Sequence, residues 1–146
     1  MKTLFVVPEI RLDMAPTNFP FWAAIFASII EQKNGQVAIL DLNALRMSFG
    51  GKEVPTRVII DQISSEKWDL IGIGGLTTTY SRIKELSPII RKCAKDALFI
   101  GGGGWSSYNP VEIMQLVPEL DMICIGEGEL TFSELYDDID KGTRDF

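Results

Sequence analysis

Short apolar runs alternate along the chain with stretches whose hydrophobic residues recur every three or four positions. The runs at 3–7 (TLFVV), 36–40 (QVAIL), within 69–75 (DLIGIGG), at 97–100 (ALFI) and at 121–125 (DMICI) read as five strands. Helical spacing predicts a first helix over 21–33, with Trp22, Phe26, Ile29 and Ile30 on one side and Gly35 closing it. A second helix begins near Pro55 and turns Val58, Ile59 and Ile63 inward. A third spans about 81–92, where Ile83, Leu86 and Ile90 share a stripe. Asn109, Pro110 and Glu112 carry the pattern of a helix start, and that short helix ends before Pro118. The last helix is capped by Thr131 and Glu134 and buries Phe132, Leu135, Tyr136 and Ile139. Residues 43–54 show no period and read as an irregular connection.

Strands nearly continuous in apolar residues, separated by helices, predict an α/β fold with a parallel sheet covered on both faces. The expected topology is a doubly wound, flavodoxin-like (Rossmann-like) five-stranded parallel sheet of order 2-1-3-4-5. Ligands of such sheets sit outside the carboxyl ends of the strands, near the switch in strand order. The segments that would meet there share a composition. Gly74 and Gly75 follow strand three, Gly101 to Gly104 follow strand four, and GEGE (126–129) follows strand five. Four consecutive glycines are costly in backbone entropy, so a run of that length points to backbone that must approach something closely. Thr77, Thr78, Thr79, Ser106 and Ser107 add hydroxyls, and Trp105 and Tyr108 add large apolar faces. Glu127 and Glu129 read as bracing groups or ligand contacts. Asp69 and Asp121 open strands at the far end and read as solvated loop acids.

Composition narrows the chemistry. The 146 residues carry a formal charge of -6, with no Lys/Arg run, which argues against a nucleic-acid surface. No histidine occurs, so imidazole catalysis and imidazole metal ligation from this chain are excluded. Cys93 and Cys124 lack metal-ligand spacing and read as a reduced, buried pair in a cytoplasmic protein. No segment has the length of a membrane span. Neither G-x-G-x-x-G after the first strand nor G-x-x-x-x-G-K-[ST] is present, and G-x-S-x-G is absent. No catalytic residue and no metal ligand is assigned. A receiver domain would need a lysine after a late strand, where this chain has GGGGWSS.

DLIGIGG followed by TTT, FIGGGGWSSYNP and DMICIGEGELTFSEL resemble the amino-terminal cobalamin-binding domain of radical S-adenosylmethionine enzymes. The resemblance implies a domain over 1–140 that holds the lower face and nucleotide tail of cobalamin at the carboxyl edge of the sheet. It places Thr77, Thr78 and Thr79 as hydrogen-bonding groups and Gly102, Gly103 and Gly104 as backbone along which the tail lies. Trp105 and Ser106 border the same site, and Gly126 and Glu127 match the family's final loop. The mutase-type D-x-H-x-x-G is replaced by Ile10, Arg11, Leu12, Asp13 and Met14, so the resemblance implies base-off cobalamin without a histidine on cobalt. The iron–sulfur cysteines of such enzymes are absent here. Residues 141–146 then read as the start of a linker to a downstream radical S-adenosylmethionine barrel, with a [4Fe–4S] cluster and S-adenosylmethionine belonging to the full-length methyltransferase or related enzyme. Two other readings stay open on the residues. One is a degenerate domain of the same fold that braces a partner through Trp105, Tyr108 and Met14. The other is a small flavin or nucleotide module.

Overall fold

A computed structural model of the chain describes residues 1–16 and 19–143. The five apolar runs form β1 (Lys2–Val7), β2 (Gln36–Asp41), β3 (Leu70–Gly75), β4 (Leu98–Gly103) and β5 (Met122–Cys124). Every pairing is parallel and the order is β2-β1-β3-β4-β5, the flavodoxin-like arrangement expected. The helices are α1 (Phe21–Gln32), α2 (Leu42–Leu45), α3 (Thr56–Ser64), α4 (Tyr80–Cys93), α5 (Gly104–Ser107), α6 (Pro110–Leu116) and α7 (Glu129–Asp140).

Alternation along the strands builds two cores. Leu4 and Val6 of β1 and Ile71 and Ile73 of β3 pack with Ile59 and Ile63 of α3 and Ile83, Leu86 and Ile90 of α4. Phe5 and Val7 point the other way, joining Leu70 and Ile100 against Ala23 and Ile30 of α1 and Phe132 and Tyr136 of α7. Each fully buried side chain of this size stabilises the fold by about 1.5–3 kcal/mol, so both faces must be covered and the double winding follows.

Several expectations change. Residues 43–54 are not irregular throughout: Leu42–Leu45 form α2, capped by Asp41 Oδ1 accepting from Ala44 N–H at 3.1 Å, and a 3-10 turn covers Arg46–Phe49. Asn34 at φ 59°, not Gly35, takes the left-handed turn after α1. α7 starts at Glu129 behind Gly128, so Thr131 lies within the helix and caps nothing. Asp69 and Asp121 are braces rather than solvated acids. Asp69 Oδ2 accepts from Lys2 N–H at 2.7 Å, and Asp121 Oδ2 accepts from Phe99 N–H and from Arg91, both at 2.7 Å. The cysteines are free and half-buried, not a buried pair: Cys93 packs against the α3/α4 core, and Cys124 lines a cleft on the other face. Of the expected linker 141–146, residues 144–146 lie outside the described residues. No helix among the described residues is long and apolar enough to cross a membrane.

Candidate functional site

The strand β4 does not end at Ile100, where its apolar residues stop. It continues through Gly101, Gly102 and Gly103, paired residue by residue with Ile73, Gly74 and Gly75 of β3. A glycine keeps its backbone hydrogen bonds, so the ladder continues although the side-chain signal has vanished. Alternation then sorts the glycines by face. A Cβ at Gly72 or Gly74 would point to the α1/α7 side, toward the rings of Phe5 and Trp22, and one at Gly102 would point toward Cys124. Gly101 faces the opposite core, where Trp105 and Leu120 fill the space.

The result is a cleft of about 400 Å³ at the carboxyl end of β1, β3 and β4, beside the β1/β3 switch point. Its walls come from Phe5 and Val7 of β1, Trp22 of α1 and Phe132 of α7. These rings brace one another: Phe5 meets Trp22 edge-on at 5.7 Å and Phe132 at 5.8 Å between centroids. Phe19, Pro20 and Phe21 form the rim. Trp22 and Phe5 occupy the space a side chain at Gly74 or Gly72 would take, whereas Gly102 and Gly104 remain open to the cleft. A Cβ at Gly102 would meet nothing nearer than Cys124 Cβ at 3.6 Å, and one at Gly104 nothing within 4 Å. The floor is therefore bare backbone between aromatic walls, a shape suited to a flat, largely apolar group.

The loop after β1 is held from two sides. Glu9 is buried, accepting from Arg82 Nε at 2.9 Å and from Val54 N–H at 3.0 Å. Arg46, 1% exposed, donates to the carbonyls of Gly51 (2.6 Å), Arg11 (3.2 Å), Leu12 (3.4 Å) and Met14. Desolvation works against the charge of Arg82, but hydrogen bonding to Glu9 and the surrounding carboxylates leave its pKa raised. Burial, then the Glu129 carboxylate, pushes the Cys124 thiol above its ordinary value.

Of the expected site residues, Thr79, Gly102, Gly103 and Gly104 line the cleft. Thr79 spends its hydroxyl on the Leu76 carbonyl at 2.7 Å. Thr77 and Thr78 are exposed, and Thr78 borders a smaller recess of about 70 Å³ beside the cleft. Trp105 is 3% exposed and turned into the α3/α4 core, its indole N–H donating to Gly102 O at 2.8 Å. Ser106 is buried and donates to Gly103 O at 3.1 Å. Gly126 and Glu127 are exposed and do not line the cleft; Ser107 Oγ accepts from Gly126 N–H at 3.2 Å. Tyr108 and Met14 are exposed at the same edge, but Trp105 is not, so the expected three-residue apolar patch does not form. Sequence reasoning missed Phe5, Trp22, Phe132, Cys124 and Asn43 as lining residues. Carrying the two-residue alternation of β3 and β4 through the glycines would have identified the face and, with it, the helices α1 and α7 that wall it.

A model of the B12 binding domain matches residues 10–136. An uncharacterized methyltransferase of Pyrococcus horikoshii is 28% identical over 97% of this chain, which spans 30% of that relative. Among solved structures, the radical S-adenosylmethionine methyltransferase TsrM of Kitasatospora setae, with tryptophan substrate and a SAM analog bound, aligns over 99% of this chain and 26% of its own. The TM-score is 0.80 at 20% identity. The cobalamin-dependent S-adenosylmethionine radical enzyme OxsB, with aqua-cobalamin bound, aligns over 98% of this chain and 19% of its own, with a TM-score of 0.74 at 16% identity. At such identities the structural likeness is one of fold.

Proposed function

This chain belongs to the B12-binding domain family, and from that premise we propose that it is a cobalamin-holding module of a radical S-adenosylmethionine methyltransferase or a related enzyme. The observation that carries the reading is the open floor at Gly102 and Gly104 within a 400 Å³ aromatic-walled cleft at the carboxyl edge of the sheet. A family member needs room there for a nucleotide tail displaced from cobalt, and the residues present fit that need: bare backbone below, Phe5, Trp22 and Phe132 at the sides. The chain has no histidine, so any cobalamin bound here would receive no imidazole from this chain, and its resemblance to radical-enzyme domains is what favours a base-off form. When bound, cobalamin supplies a cobalt centre able to carry a methyl group. The chain's own residues do the binding: Gly102 to Gly104 admit the tail, Glu9 and Arg46 fix the loop after β1, and the aromatic wall excludes water. The [4Fe–4S] cluster and S-adenosylmethionine belong, in this reading, to a barrel domain of the longer protein.

Titrating hydroxocobalamin into the 146-residue chain tests the reading. The corrin absorption bands shift with saturation, and amides at 72–76 and 100–104 gain protection from hydrogen exchange. Unchanged bands and unchanged exchange at near-millimolar cofactor contradict it.

A further inference from the structure

Asn43 follows β2, outside every motif considered above, yet it lines both the cleft and the 70 Å³ recess beside it. It is 5% exposed. Its orientation is fixed by chemistry: Ile10 N–H donates to Oδ1 at 2.9 Å, so the carboxamide oxygen is taken by the loop after β1 and Nδ2 is the free end. Among the described residues, Nδ2 has no acceptor. The nitrogen is not among the buried atoms left without a partner, so it reaches solvent and is free to donate to an acceptor on whatever fills the cleft. Three residues on, Arg46 fastens the carbonyls of Arg11, Leu12 and Met14, so the segment facing Asn43 is held in place before any ligand arrives. The recess also carries Thr78 and Arg11 and is more polar than the apolar cleft it adjoins.

We propose that Asn43 is a ligand-orienting residue of this cleft: its Nδ2–H donates to an oxygen acceptor at the edge of the bound cofactor, reached through the recess shared with Arg11 and Thr78. The acceptor is an amide carbonyl or a phosphate oxygen, and cobalamin offers both. This inference rests on the cobalamin reading above and adds a specificity element to it: the apolar cleft accepts bulk, and Asn43 sets the register of that bulk by one directional bond.

The test uses Asn43→Asp at pH 8. That variant keeps an oxygen for Ile10 N–H, replaces the donor by a second acceptor oxygen and adds a negative charge, which opposes a phosphate or carbonyl acceptor further. Hydroxocobalamin is expected to bind it about tenfold more weakly or worse, with near-ultraviolet circular dichroism unchanged. In parallel, the side-chain NH2 resonances of Asn43 in the wild-type chain are followed by NMR, and they move on saturation. This second reading decides the matter should the variant fail to fold. Aquocobinamide, which keeps the corrin amides but lacks the nucleotide and its phosphate, separates the two acceptors. A penalty that persists with it assigns the amide carbonyl, and one that disappears assigns the phosphate. Wild-type binding with equal affinity for Asn43→Asp and unmoved Asn43 resonances overturns the inference and leaves the cobalamin reading standing. Absence of wild-type binding overturns both.

Discussion

Replacing each of the four consecutive glycines by alanine, one at a time, separates the reasons for which they are there. Gly103 has φ 102° and ψ -172°, a region only glycine occupies comfortably, and an added Cβ would lie 2.6 Å from Gly75 O across the β3–β4 pairing. The neighbour is backbone and cannot yield. Strain of this kind costs about 1–3 kcal/mol by itself, and with the collision Gly103→Ala is expected to lose roughly 3 kcal/mol or more, a melting-temperature drop of about 6–12 °C for a domain of this size. Gly101→Ala meets Trp105 Cζ2 at 2.9 Å and Leu120 at 3.2 Å. The indole is fixed by its bond to Gly102 O, so the overpacking costs about 1–3 kcal/mol. Gly102→Ala meets only Cys124 Cβ at an ordinary 3.6 Å, and loss of unfolded-state freedom raises stability by about 0.4–1 kcal/mol. Gly104→Ala, in open space at the start of α5, is neutral or slightly stabilising. Thermal unfolding followed by far-ultraviolet circular dichroism reads the order: Gly103 worst, Gly101 next, Gly102 and Gly104 harmless. A uniform loss across the four, or a Gly102→Ala variant as damaged as Gly103→Ala, would refute the assignment of faces on which the cleft depends.

Cys124 reports on cleft occupancy. Its burial and raised pKa slow its reaction with a disulfide reagent, and saturating hydroxocobalamin slows it further; labelling with mass-spectrometric site assignment checks this, and an unaffected rate with the cofactor bound would place the ligand elsewhere. Asp137, joined to Lys33 at 2.6 Å, ties α7 to the end of α1, and that hydrogen bond holds its carboxyl below the usual carboxylate range. The unfolded chain therefore takes up this proton first as pH falls. The contribution is complete above about pH 4, the unfolded carboxylate value, and disappears as pH falls through the lower folded value. Asp137→Asn should flatten the pH dependence of urea unfolding across that acid window and leave its slope at pH 7–9 unchanged; an altered slope only at neutral pH would contradict the pairing.

The order of the sheet was legible because its signals are local and redundant: five apolar runs, each bounded by helical spacing. The glycine run was legible as unusual but not as strand. Residues without side chains carry no alternation to read, although backbone pairing with Ile73, Gly74 and Gly75 continues through them. Trp105 and Ser106 looked like ligand contacts from their position after the glycines. The short helix α5 turns both inward, where Gly102 O and Gly103 O take their donors. Asn43 was invisible in sequence because its role depends on Ile10, 33 residues earlier, coming within hydrogen-bonding distance. The walls Phe5, Trp22 and Phe132 read as core residues and are core residues; only the missing bulk opposite them turns the core surface into a cleft.

The most direct measurement is the affinity of hydroxocobalamin for Gly102→Leu beside wild type, by absorption titration, with melting temperatures recorded for both. A leucine at this position projects into the open floor and not into the packed cores. The expected result is a folded variant whose affinity falls by about a hundredfold or more, beyond what one lost contact explains. A folded Gly102→Leu chain that binds the cofactor as tightly as wild type would contradict it.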